Sequence, residues 1–183
     1  MISVKEAQKN GIPRWKLAQM ASSGELVRLA RGVYADKDFV ADGNFEIEVL
    51  ARRGVEFVVA LESALRVHDF TSAMPHELCI AMKRGARKPE VGFPLKVVRV
   101  DDRSLTYGAE ITTINGCAVK VYSPAKTVAD LFKFRRQVGM ELALEALKDG
   151  MRRKLFTVDQ LLEAAKVDRV QRVVMPYLEG MFA

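Results

Sequence analysis

Seven residues near the start of the chain have the types and spacing to meet a DNA duplex: Arg14, Trp15, Lys16, Gln19, Ser22, Arg28 and Arg31. Glutamine can bond adenine bidentately, and lysine can meet guanine or a phosphate. An indole can pack on a sugar or a thymine methyl, and an arginine at a turn tip can enter a narrow minor groove. On a helix advancing about 100° per residue, Trp15, Gln19 and Ser22 face one way with Lys16 at the flank. Leu17, Met20 and Ala21 face the other way and can pack on a preceding helix. Arg14 falls in the first turn, where a helix N-terminus suits a phosphate.

Other chemistry finds less support. Ser63 in "LESAL" needs a base within hydrogen-bond reach, yet His68 points about 140° away on the same helix. Metal-dependent nucleic-acid cleavage needs clustered carboxylates. The acids on expected strands (Glu77, Asp101, Asp102 and Glu110) form no acid-x-Lys arrangement with a second acid. Two cysteines, Cys79 and Cys117, lie far apart without a CxxC spacing, and the histidines are His68 and His76, a poor ligand set for zinc. A G-x-x-x-x-G-K-[ST] phosphate loop is absent from the sequence. No catalytic residue, metal or cofactor is assigned.

The elements that must position the seven residues are legible. Ser3 and Glu6 make a capping box for a helix ending at Gly11. Pro13 suits the first position of a second helix, which ends near Ser23 and Gly24. A β-prone run over Leu26, Val27 and Leu29, a turn at Ala30–Gly32, and Val33 and Tyr34 form a hairpin. Two helices and a hairpin spell a winged helix-turn-helix over 1–35. Such domains ordinarily carry a further helix ahead of the pair. Its absence is expected to leave Ala7, Leu17 and Met20 open to water. "ADKDFVADGN", residues 36–44, is polar and reads as a linker.

Beyond it, helices are predicted around Phe45–Leu50 and Ala60–Val67. Strands follow over Glu77–Met82, Leu95–Val100, Ala109–Thr113 and Ala118–Tyr122, the last two joined by an Asn115-Gly116 turn. Ser123 and Pro124 open a helix carrying Val128, Leu131 and Phe132 on one face. Two further helices hold Met140–Leu147 and, after a Thr157/Gln160 capping box, Leu161–Ala165. A last stripe runs from Val170 to Met181. The fold class is α+β: the winged helix, lacking its first helix, then an α/β body over 45–183. That body has a small, mostly antiparallel sheet and ends in a helical bundle over 123–183.

The totals agree with a DNA-binding role. The 183 residues carry a net charge of +6, and 49% are hydrophobic. From Met1 to Tyr34 six cations stand against Glu6 and Glu25. No apolar run approaches the ~20 residues of a membrane span, and no signal-peptide core opens the chain, so a cytoplasmic protein without membrane contact is expected. "KRGARK", Lys83 to Lys88, holds four cations and no acid. It reads equally as a solvated run or as a phosphate contact or docking patch. Lys126 and Asp130, four residues apart, read as a surface ion pair or as part of a contact surface with Lys133, Arg135 and Arg136.

"GIPRWKLAQMASSGELVRLARGVYA", "ALESALRVHDF" and "VKVYSPAKTVADLFKFRRQVGMELALEALKDGMRR" resemble the AbiEi-type antitoxins, transcriptional regulators of bacterial abortive-infection (type IV toxin–antitoxin) systems. The resemblance implies an N-terminal winged helix that binds double-stranded operator DNA and represses its own operon. It also implies a C-terminal domain that counters a nucleotidyltransferase-type toxin without a stable complex. A non-enzymatic monomer or weak dimer is expected. The matching positions are Arg14 to Ser22, Arg28 and Arg31 for DNA, and the body from Phe45 onward for antitoxicity. Pro13 stands where a capping serine is common. The alternatives are a DNA-acting nuclease built on the same body and a pure protein-interaction module.

Overall fold

The structure is a computed structural model that describes residues 1–70 and 76–182. Ala183, the last residue of the expected helical bundle, lies outside the described residues, as does the 71–75 segment of the body. The chain divides into two compact units. The first comprises Met1–Glu56, Arg87–Pro94 and Thr113–Val119, and the second Phe57–Ala86, Leu95–Thr112 and Lys120–Ala183.

In the first unit a short strand β1 (Ile2–Ser3) runs straight into α1 (Val4–Lys9). The Ser3 hydroxyl accepts from the Glu6 N–H, and the Glu6 carboxylate accepts from the Ser3 N–H at 2.7 Å, so the predicted capping box is formed. Gly11 adopts φ +74° and turns the chain out of α1. Pro13 is the cap rather than the first residue of α2 (Arg14–Ser22): its φ of −72° and ψ of 152° are extended. The strands β2 (Leu26–Ala30) and β3 (Val33–Asp36) pair antiparallel, with a shift of register between Arg28 and Ala30. β1 joins the other edge of β3, matching Ile2 with Tyr34.

The exposure expected of Ala7 and Leu17 does not occur. Both are buried with Tyr34, and Ile2, Val4, Ile12, Ala21 and Leu26 pack around them, while Met20 is half-buried. β1 explains the difference. A two-residue strand has no readable periodicity, yet it packs Ile2 against the core of the helix pair.

The first unit does not end at Ala35, the expected domain boundary, but continues through α3 (Phe45–Arg52). Arg52 bonds Glu6 at 2.5 Å and Glu48 at 2.7 Å. The Asn115 side chain donates to Asp42 at 2.8 Å and to Glu48 at 3.1 Å. Phe93 packs edge-on to Phe45 at 5.8 Å. Apart from the Arg52–Glu48 pair within α3, these contacts are long-range in sequence, so local composition carries no sign of them.

The second unit holds most of a five-stranded sheet. β4 (Val58–Val59) leads to α4 (Leu61–Val67), then β5 (Leu78–Lys83), β6 (Leu95–Val100), α5 (Asp102–Thr106), β7 (Ala109–Ile114) and β8 (Cys117–Tyr122). The order across the sheet is β6-β5-β4-β8-β7. β4 pairs antiparallel with β5 but parallel with β8, and β5 pairs parallel with β6. The sheet is therefore mixed, not mostly antiparallel. The 84–94 connection is long enough to return the chain for a parallel pairing, which a tight hairpin cannot do.

Helices follow: α6 (Pro124–Lys133), α7 (Arg135–Val138), α8 (Met140–Arg152), α9 (Val158–Val167) and α10 (Gln171–Phe182). Ser123 caps α6 and Thr157 with Gln160 boxes α9, as the sequence indicates. Val128, Leu131, Phe132, Leu147, Leu161, Val174 and Leu178 share one core with Leu65 and Val98. Cys79 is buried and Cys117 half-buried.

Candidate nucleic-acid interface

The interface is built outward from the small core of the first unit. Leu17 is 2% exposed and pins the inner side of α2. The opposite side is then turned to solvent: Arg14, Trp15, Lys16, Gln19 and Ser22 are all exposed, and Trp15 retains 67% of its surface. Among the described residues that is the only tryptophan, and leaving it in water costs apolar burial that the chain forgoes.

Two details set the chemistry of α2. Pro13 offers no side-chain cap and no acidic residue stands in the first turn; the Lys16 N–H donates to the Pro13 carbonyl at 3.0 Å, which leaves the Arg14 and Trp15 N–H groups to an anion. The Ser22 hydroxyl donates to the Ala18 carbonyl at 3.0 Å, so its proton is used within the helix and its oxygen is left as an acceptor.

The hairpin carries Arg28 and Arg31, both exposed. Gly32 at φ +82° closes the turn, and its carbonyl accepts from the Val4 N–H at 2.9 Å, which ties the turn to α1. Among the described residues Arg14, Lys16, Arg28 and Arg31 form no ion pair. The nearest acid in sequence, Glu25, accepts from the Ser23 hydroxyl at 3.0 Å.

The second set of sequence-singled residues behaves differently. Lys126 and Asp130 are not a surface pair: they are 0% and 2% exposed. Lys126 Nζ lies 2.6 Å from Asp130 and 2.9 Å from Asp168, with the Tyr122 ring 4.4 Å away. Asp168 also accepts from Lys133 at 2.8 Å and from the Ser104 hydroxyl at 2.7 Å. Burial pushes the Asp130 carboxyl up to about 7, against the pull of Lys126, and its Oδ2 has no hydrogen-bond partner. Burial acts on Asp168 too, but Lys126 and Lys133 outweigh it and hold that carboxyl below its ordinary value. Of the five residues expected on a contact surface, Arg136 alone is exposed. Lys133 is partly buried, and Arg135 is half-buried and donates to the Phe132 carbonyl at 2.8 Å. Asp168, 42 residues away, supplies the second carboxylate that lets a lysine go inside, and Ser104 and Lys133 hold that carboxylate.

The residues tested for nucleophilic chemistry are occupied otherwise. The Ser63 hydroxyl accepts from the Cys79 N–H at 2.8 Å, and His68 Nε2 lies 2.6 Å from the Tyr122 carbonyl. Glu62 meets Cys79 Sγ at 3.3 Å and Lys96 at 3.6 Å. Asp101 caps α5, and Asp102 pairs with Lys83 at 2.8 Å. Among the described residues no three His, Cys, Asp or Glu side chains stand together to hold a metal ion, and no helix is long and apolar enough to cross a membrane.

No family model matches the chain, and no curated protein matches it closely.

Proposed function

We propose that this protein is a sequence-specific DNA-binding regulator whose first unit works as a winged helix. α2 enters the major groove, with Gln19 and Lys16 reading base edges and Trp15 packing on sugar or a thymine methyl. Arg14 and the uncapped start of α2 take a backbone phosphate. Arg28 and Arg31 follow the hairpin to the minor groove or the flanking backbone. One observation carries the reading. An amide, an indole and four cations stand exposed on one helix and one hairpin, with none of the charges paired among the described residues.

The resemblance to AbiEi-type antitoxins extends the proposal. The chain represses its own operon in the cytoplasm and counters a nucleotidyltransferase-type toxin through the remainder of the chain, without catalysis of its own. Arg136 is the residue of the expected contact surface that stays accessible for that second role.

A gel shift with duplex from upstream of the gene tests the DNA reading. Binding that prefers this duplex to a scrambled one, and weakens steeply with salt, is the expected result. Equal binding of both sequences, or an unchanged affinity for the Arg28→Ala/Arg31→Ala double variant, counts against it. Rescue of growth on co-expression with a toxin of that type tests the second half.

A further inference from the structure

The first unit contains a cavity of about 280 Å³ lined by Arg31, Arg53, Val55, Arg87, Lys88, Pro89 and Glu90. Four of these are cations and one is an acid. The acid is already engaged: Glu90 pairs with Arg87 at 2.5 Å. Arg53 donates to the Glu90 backbone carbonyl at 2.6 Å, which holds its guanidinium without neutralising it. Among the described residues neither Arg31, Arg53 nor Lys88 forms an ion pair. The protein thus gathers positive charge around a concave space and, with Glu90 answering Arg87, leaves the other three cations without a counter-charge.

The backbone that carries the lining is tied down, although the Arg31, Arg87 and Lys88 side chains reach solvent. Arg53 sits at the C-terminal cap of α3 and clamps the 87–94 loop through Glu90, while Phe93 packs against Phe45 at the other end of that helix. Pro89 stiffens the loop between them. Gly32 fixes the hairpin turn that presents Arg31. Of the "KRGARK" run only Arg87 and Lys88 take part, since Lys83 is paired with Asp102. The space is small for a whole cofactor and ample for one phosphate group. Guanidinium groups match phosphate oxygens in planar, two-bond geometry, and lysine adds a point charge.

We propose that this cavity is a phosphate-binding site in which Arg53, Arg87 and Lys88 complete a cradle begun by Arg31 at the hairpin tip. The phosphate comes either from the backbone of the duplex held by the hairpin or from a free phosphate ester. The first source deepens the DNA-binding proposal and rests on it; the second stands without it.

Two measurements on the full chain separate these sources, using Arg87→Gln/Lys88→Gln, whose side chains are exposed, and Arg53→Gln. Thermal melting shows which variants remain folded. In the first measurement duplex affinity is followed against salt. Loss of roughly tenfold in affinity, and of about one in the salt slope for each phosphate contact removed, supports the backbone source. In the second, inorganic phosphate and adenosine monophosphate are titrated calorimetrically. Binding by the parent that falls at least fivefold in the folded variants supports the free ester. A parent that binds no duplex defeats the DNA-binding proposal and leaves the second measurement to decide this one. Folded variants that match the parent in both measurements, or a parent that binds neither duplex nor free phosphate, overturn the cradle.

Discussion

Lys126 Nζ lies 2.6 Å from Asp130 Oδ1, and neither side chain reaches solvent. A pair at this helical spacing contributes a few tenths of a kcal/mol when it is exposed. Inside the second unit Lys126 also meets Asp168 and the Tyr122 ring, and Asp168 is held in turn by Lys133 and Ser104, so loss of the pair has a different scale. Replacing Lys126 by Met removes the ammonium that two buried carboxyls share and leaves Asp130 with no cation, while Asp168 keeps Lys133. The variant is expected to lose about 3–5 kcal/mol of stability, read as a lower urea midpoint.

The two carboxyls in that cluster titrate in opposite directions. Asp130 is raised by burial from 3.8 to about 7. The folded protein therefore holds a proton on it that the unfolded chain has released, and stability from this group falls as pH rises through that window. Asp168 is lowered, so its contribution is present at neutral pH and lost on acidification below the ordinary aspartate range. Asp130→Asn removes the first effect. Its denaturation midpoint should fall less between pH 5 and 7, a range of about two units within that window, than the parent's does. Identical slopes would contradict the assignment.

Gly150 sits inside α8 against two rings. Alanine is favoured over glycine in a helix by about 1 kcal/mol, so local propensity alone predicts that Gly150→Ala stabilises the protein. A methyl there would overlap the Phe156 ring and come within 3.0 Å of Phe70 Cε1. Overpacking of this kind costs about 1–3 kcal/mol. The net expectation is a variant less stable by about 1 kcal/mol, and a higher melting temperature would refute it.

On the DNA side, two variants should separate base reading from phosphate contact. Gln19→Ala should relax the preference between operator and mismatched duplex by about 1–3 kcal/mol. Arg31→Ala should weaken all duplexes alike and lower the salt slope by about one. Competition gel shifts at two salt concentrations check both.

Trp15 supplies its own signal, since it is the one tryptophan and is 67% exposed. Adding the operator duplex should quench or blue-shift its emission, and Trp15→Phe should remove the change without unfolding the first unit. Unchanged emission at saturating duplex would take Trp15 out of the interface.

Much of the local structure could be read from adjacent residues. The Ser3/Glu6 and Thr157/Gln160 boxes, the Ser123-Pro124 helix start and the hairpin ahead of Val33 depend on neighbours three or four positions apart. The outward side of α2 follows from helical spacing for the same reason. β1, β4, α5 and α7 went unread because each is too short to show a period. Arg53 lay outside the candidate site because nothing beside it marks it. Its partner, the Glu90 carbonyl, is 37 residues away.

The division between the two kinds of knowledge is physical. Sequence by itself settled where helices start, which residues of α2 share a side and where positive charge concentrates, because caps and periodicity act over a few residues. Tertiary structure alone decided that Lys126 and Asp130 are internal, that β5 and β6 run parallel, and that Arg31, Arg53, Arg87 and Lys88 meet around one cavity. Burial of a charge depends on partners that pay its desolvation, and those partners come from wherever the folded chain brings them.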